Sequence, residues 1–195
     1  MSAPAVARPA MAGATRANLL KAAWACPLIR SPQLSRMPNY VALIRGVGPA
    51  NPNMRNDKLG AVLEGMGCAD VRPVLASGNL VFHSTSHSAA NLEAKIEKAF
   101  NESLGLSSDV IVRTQAELAA IVTEDPFKGT EHGKKWYLII TFRKDRQPPI
   151  FSKLDRSKIN GPQFMTELEQ RYGKHITTRT WNTVLKIAAQ MAERR

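Results

Sequence analysis

A chain of 195 residues, 44% of them hydrophobic, can bury one core of ordinary domain size, and with no run of about 18 apolar residues no helical membrane span is expected. Its two cysteines, Cys26 and Cys68, lie far apart and outside any CxxC or histidine cluster, which argues against a disulfide framework or zinc site and for a reducing, cytoplasmic compartment. The net charge of +11 sits at the ends: residues 1–36 carry five basic and no acidic residues, residues 37–133 sum to −3 and residues 134–195 to +9, so the high pI alone does not point to nucleic acid.

Residues 1–36, with ten alanines and four prolines, resemble a transit peptide in composition but are read as a non-structural extension, because Met37 opens the first convincing element. Asn39–Gly46, an almost continuous apolar run closed by Arg45 and Gly46, predicts a buried central strand with a cation at its exit. The stretch Gly46–Asn53, with two glycines, two prolines and two asparagines, predicts a loop. Asp57 is the expected N-cap of a helix carrying Leu59, Val62, Leu63 and Met66 at helical spacing. Val71–Ala76 and Leu80–His83 predict two strands joined by a tight Ser77-Gly78-Asn79 turn in which Gly and Asn supply positive φ, and Pro73 marks the first as an edge strand. Ser88 caps a second helix with Leu92, Ile96, Phe100 and Leu104 on one face. Asp109–Arg113 is a fourth strand, and Thr114 with Glu117 forms a capping box for a third helix.

This β-α-β-β-α-β order is the ferredoxin-like, split βαβ pattern, and right-handed crossovers place strand one between strands three and four. Trp136–Phe142 predicts one more strand, residues 143–160 show little periodicity, and two helices close the chain. One runs from about Pro162 to Gly173. The other, capped by Thr178 or Thr180, carries Trp181, Val184, Leu185, Ala188 and Met191 on one stripe. The expectation is an α/β chain of the α+β class: an extension (1–36), a ferredoxin-like domain (37–127) and a smaller basic subdomain (128–195) whose lone strand plus two helices is an incomplete α/β unit.

The runs Tyr40–Gly46, Asn51-Pro52-Asn53-Met54, Ala76–Phe82 and Ile176–Val184 together resemble the bacterial family catalogued as domain of unknown function 1697, over about residues 37–192. The resemblance implies a ferredoxin-like first half, a smaller α/β second half, and no established activity. Family members usually carry an extra stretch with a hairpin between the segments matching Trp136–Phe142 and Gln163–Tyr172. Here that stretch is nearly absent.

Topology brings the exit of strand one, the Ser77-Gly78-Asn79 turn and the Ser107-Ser108-Asp109 segment to one sheet edge. Arg45, Asn51, Asn53, Ser77, Gly78 and Asn79 are therefore a candidate anion-binding set, against the plainer reading that Ser77 and Asn79 satisfy turn backbone and Arg45 pairs with a helix C-terminus. Lys174, Thr177, Thr178, Arg179 and Trp181 resemble a phosphate-binding helix start, against an ordinary cap with Trp181 in the core. The four histidines lack ligand spacing, so no metal or cofactor is assigned. No P-loop, Gly-x-Ser-x-Gly or dinucleotide fingerprint occurs. The acidic residues Glu93, Glu97 and Glu102 read as a solvated helix face without paired catalytic carboxylates. The expected function is binding of a phosphate-bearing small molecule, with nucleic acid as the secondary partner. The alternatives are an enzyme in which Arg45 and Arg179 orient an anionic substrate, or a protein-interaction module. Oligomeric state is not encoded in any feature of the sequence.

Overall fold

Alternation along one strand feeds two cores. A computed structural model describes residues 37–193 except 47, 49, 50, 77 and 159. The extension 1–36 and Ser77 thus lie outside the described residues. In β1 (Asn39–Ile44), Tyr40, Ala42 and Ile44 point to one face and Val41 and Leu43 to the other, as a period of two requires. The first face packs on α1 (Asn56–Gly65) and α2 (Ala89–Leu104) through Leu59, Leu63, Leu92, Ile96 and Phe100. The second packs on α3 (Gln115–Glu124), β5 (Trp136–Arg143) and α5 (Trp181–Ala192) through Leu118, Leu138, Ile140, Phe142, Val184 and Ile187. Each large side chain so buried contributes roughly 1.5–3 kcal/mol.

Strands β2 (Ala69–Pro73), β3 (Asn79–His83) and β4 (Val110–Thr114) complete the first sheet in the order β2-β3-β1-β4, every neighbour pair antiparallel. Strand one is central and the Pro73 strand is an edge, as expected. The β2–β3 connection differs from the expected tight turn. β2 starts two residues earlier than predicted and carries a register shift between Ala69 and Arg72. Positive φ falls on Leu75 and Gly78, while Asn79 is already strand. Arg55 occupies the N-cap position of the helix after β1 without a side-chain cap bond, and Asp57 sits in the first turn as a dipole-favoured anion instead of the cap. Part of the preceding loop is a 3₁₀ turn, Pro52–Met54, capped by Asn51.

The second half departs most from expectation. Beside β5 stand two strands: β6 (Ile150–Asp155), within the charged stretch, and β7 (Ile176–Thr180), where a helix start was expected. They form a second antiparallel sheet, β6-β5-β7, so the unit is complete and not a lone strand with two helices. Helix α4 (Gly161–Tyr172) buries Leu168. On α5 the inward stripe runs through Ile187, while Leu185 faces solvent. Residues of both halves share the second core. Among the described residues no helix is long and apolar enough to cross a membrane.

Candidate functional site

Four chain segments meet where β1 ends. Ile44 N–H donates to Gly78 O and Arg45 N–H to Asp109 O, both at 2.9 Å, which brings the strand-one exit, the β2–β3 turn and the start of β4 to one edge. Strand β7 adds a fourth side, because the β5 register sets Thr180, Arg179 and Thr178 opposite Ile139, Ile140 and Thr141. Between β1, β4, β7 and α4 lies a cleft of about 940 Å³ whose walls include Arg45, Glu97, Asp109, Glu169, Thr178 and Arg179.

Arg179 organises the cleft wall. Its Nε–H donates to Asn79 Oδ1 (2.5 Å), Nη1 to Thr177 Oγ1 and Thr178 O (both 2.8 Å), and Nη2 to Ile44 O (2.9 Å) and Gly78 O (3.3 Å). All five N–H groups of the guanidinium are spent. Every acceptor is neutral, and among the described residues no carboxylate lies within ion-pair distance. Burial lowers its pKa to about 10, which still leaves it cationic at neutral pH. Thr177 and Arg179 belong to a strand and not to a helix start, and the α5 cap is Thr180, whose Oγ1 accepts from Thr183 N–H. Trp181 is core.

Arg45 differs in kind. Its guanidinium pairs with Glu169 near the C-terminal end of α4 and stands 4.0 Å from Asp109. Asp109 is shared further, at 3.5 Å from Lys144 Nζ and 3.1 Å from His175 Nδ1. Lys144 also binds Glu97, at 2.5 Å. Desolvation pulls the Lys144 amine down, but the hydrogen bond and charge of Glu97, with Asp109, outweigh it and leave its pKa raised.

Of the expected set, the structure brings Arg45, Gly78, Asn79, Thr178 and Arg179 together. Asn79 is fully buried and its Nδ2 donates to Val74 O, so it braces the turn and holds Arg179. Asn51 and Asn53 are not cleft residues. Asn51 Oδ1 caps the 3₁₀ turn, and Asn53 Nδ2 ties that turn to Leu104 O at the end of α2.

The carboxylates read as a solvated helix face are a correction. Glu93 is 3% exposed and accepts from Val112 N–H, and Glu97 accepts from Val110 N–H, both at 2.8 Å. They satisfy the open edge of β4, and only Glu102 faces water. Their i, i+4 spacing next to Leu92 and Ile96 was the available signal. For Glu169 and His175, distant in sequence from their partners, there was none. Among the described residues no group of His, Cys, Asp and Glu could hold a metal ion.

The fold is similar to that of a solved structure, the conserved bacterial protein SP0830 from Streptococcus pneumoniae, at TM-score 0.60 and 18% identity, covering 80% of this chain and 99% of that one. At that identity the likeness concerns the fold alone. No curated protein matches the chain. The family model described as protein of unknown function, DUF1697, matches residues 37–172, well over half of the sequence, and the chain therefore belongs to the DUF1697 family.

Proposed function

We propose that the cleft between β1, β4, β7 and α4 binds a small molecule through an anionic, phosphate-type group. The observation that carries this reading is Arg179, a cation on the cleft wall whose five donors are met by neutral oxygens and whose charge lacks a carboxylate among the described residues. A buried charge without a counter-ion is costly, and an anion entering the cleft would offset that cost. Because Arg179 has no donor to spare, hydrogen bonds to the anion come from groups beside it: the Thr178, Ser107 and Ser108 hydroxyls and Arg45, once Arg45 turns from Glu169. The carboxylates of Glu97, Asp109 and Glu169 on the same walls restrict the ligand to one that also offers hydrogen-bond donors or a positive group.

The test is thermal unfolding against inorganic phosphate, pyrophosphate, nucleotides and sugar phosphates. A bound ligand at a hundred times its Kd raises stability by about 2.7 kcal/mol, and Arg45→Ala reduces the shift. Absence of any shift across the panel overturns the reading.

One observation favours a second reading, an enzyme on an anionic substrate. His175 Nδ1 lies 3.1 and 3.2 Å from the two Asp109 oxygens, an arrangement that orients an imidazole for proton transfer. In that case His175→Gln removes turnover of the ligand found by the unfolding screen while leaving its stabilisation intact. Equal turnover in variant and wild type removes the enzyme reading.

A further inference from the structure

The cations of the cleft region, Arg179 apart, are matched by carboxylates. Among the described residues, those at the far end of the second sheet are not. Here β5 begins and β6 ends, with Trp136 opposite Asp155. Lys135 and Lys153 place their ammonium groups 5.2 and 4.3 Å from the Trp136 ring centroid. On the next residue, Tyr137, the Arg156 guanidinium lies 5.5 Å from the ring centroid, and the His132 ring packs at 5.1 Å. The backbone ties the two segments, because Arg156 N–H donates to Lys135 O (3.0 Å) and Arg156 Nη1 to Gly133 O (3.1 Å). Lys134 and Lys158 flank them, and all five basic side chains are exposed. None of the five forms an ion pair among the described residues. Asp155, the nearest acid in sequence, is occupied by the Ser157 hydroxyl and N–H, which hold its carboxyl below the usual range.

We propose that this end of the second sheet, built on Trp136, Tyr137, Lys135, Lys153 and Arg156, binds single-stranded nucleic acid. The proposal is independent of the cleft. Five cations without an ion pair among the described residues, along two adjacent segments, exceed what one small anion needs, and they suit a chain of phosphates. Trp136 and Tyr137 are both partly exposed and interleaved with those cations, the combination on which bases stack while the backbone is neutralised. Successive strand residues face opposite sides of the sheet, so the two rings receive bases around the sheet's end and not on one flat face. This arrangement suits a flexible strand better than a duplex. A membrane surface is disfavoured because the large exposed apolar side chains among the described residues, Leu75 and Leu185, lie elsewhere.

The test is fluorescence anisotropy of a labelled oligothymidine with the full chain, titrated over salt. Binding is expected at low salt, with log K falling against log salt at a slope of about −2 to −4, as three to five phosphate contacts on a single strand require. Lys153→Glu with Arg156→Glu should weaken binding at least tenfold. The charge-matched pair Lys95→Glu with Lys98→Glu, on α2, should leave it within about twofold. Trp136→Phe, which keeps a ring, should bind better than Trp136→Ala, with folding of both checked by circular dichroism. Four outcomes overturn the proposal: no binding at low salt, equal losses from the two charge reversals, preference for duplex over single strand, or displacement by polyglutamate as effective as by unlabelled oligonucleotide.

Discussion

Arg179 Nε–H donates to Asn79 Oδ1 across 100 positions of sequence, at 2.5 Å. That bond joins the edge strand of the second sheet to the first strand residue after the β2–β3 turn of the first sheet. With the bonds to Ile44 O and Gly78 O, one guanidinium closes the same sheet edge that opens into the cleft. Removing it takes one donor from each of several oxygens at once, among them Ile44 O and the amide oxygen of the fully buried Asn79. Arg179→Ala is expected to cost about 1–3 kcal/mol in urea unfolding, the range for taking a hydrogen-bond partner from buried polar groups. Arg179→Lys should recover only part of this, since an ammonium cannot reproduce the fork. A loss below about 1 kcal/mol for the alanine variant would show that the latch is dispensable.

Glu93 supplies a pH dependence whose sign can be worked out. Burial raises its carboxyl pKa, opposed by the Val112 N–H and by Arg146 and Arg113. The folded state therefore takes up this proton before the unfolded chain does. Between the raised folded value and the unfolded value near 4.5, the native state binds more protons, so this group adds stability as pH falls. Asp57, Asp145 and the partly exposed Asp155, whose carboxyls are held low, act oppositely: their contribution exists at neutral pH and is lost on acidification through their depressed values. Glu93→Gln keeps an acceptor for Val112 and deletes the titration. Wild type should gain on the variant as pH drops towards 4.5, and a pH-independent difference between them would refute the assignment.

Lys144 ties the β5–β6 connection to α2 through Glu97 and to the start of β4 through Asp109. Its raised pKa means the stabilisation is complete below the ordinary value of 10.5 and is lost as pH rises through the folded value. The side chain is partly exposed, so the pair is worth roughly 1 kcal/mol. Lys144→Met should cost about that much at pH 7, shrinking in 1 M salt and vanishing at strongly alkaline pH. A cost unchanged by salt would identify packing of the stem as the cause.

What was readable in advance follows from distance along the chain. The capping box at Thr114 and Glu117 is complete, with Glu117 N–H donating to Thr114 Oγ1 and the Glu117 carboxylate accepting from Thr114 N–H, because all its parts lie within one turn. The centrality of β1 was legible for the same reason, an apolar run bounded by turn residues. Strand β7 was not. Its threonines suit a helix cap and a β-strand equally, and the deciding partner, β5, lies more than thirty residues upstream. Strand β6 was hidden by Lys153 and Asp155, charges suited to a sheet edge. The Arg45 exit was foreseeable, whereas Glu169, 124 positions away, was not, and that carboxylate changes what Arg45 can do in the cleft.

The Arg45–Glu169 pair separates a ligand arginine from a structural one. Both side chains are about one-third exposed, so the pair adds little to stability, and Glu169→Gln should shift the unfolding midpoint by less than about 1 kcal/mol. Its effect on binding is the informative quantity. If Arg45 must leave Glu169 to meet an anion, the free protein holds it back, and neutralising Glu169 lifts that competition. Calorimetric titration with the best phosphate-bearing ligand should then show affinity rising about three- to tenfold in Glu169→Gln and falling in Arg45→Ala, with the double variant resembling Arg45→Ala because the gain acts through the arginine. Weaker binding in Glu169→Gln would mean that the carboxylate, and not Arg45, contacts the ligand, and that the cleft selects a cationic or donor-rich molecule.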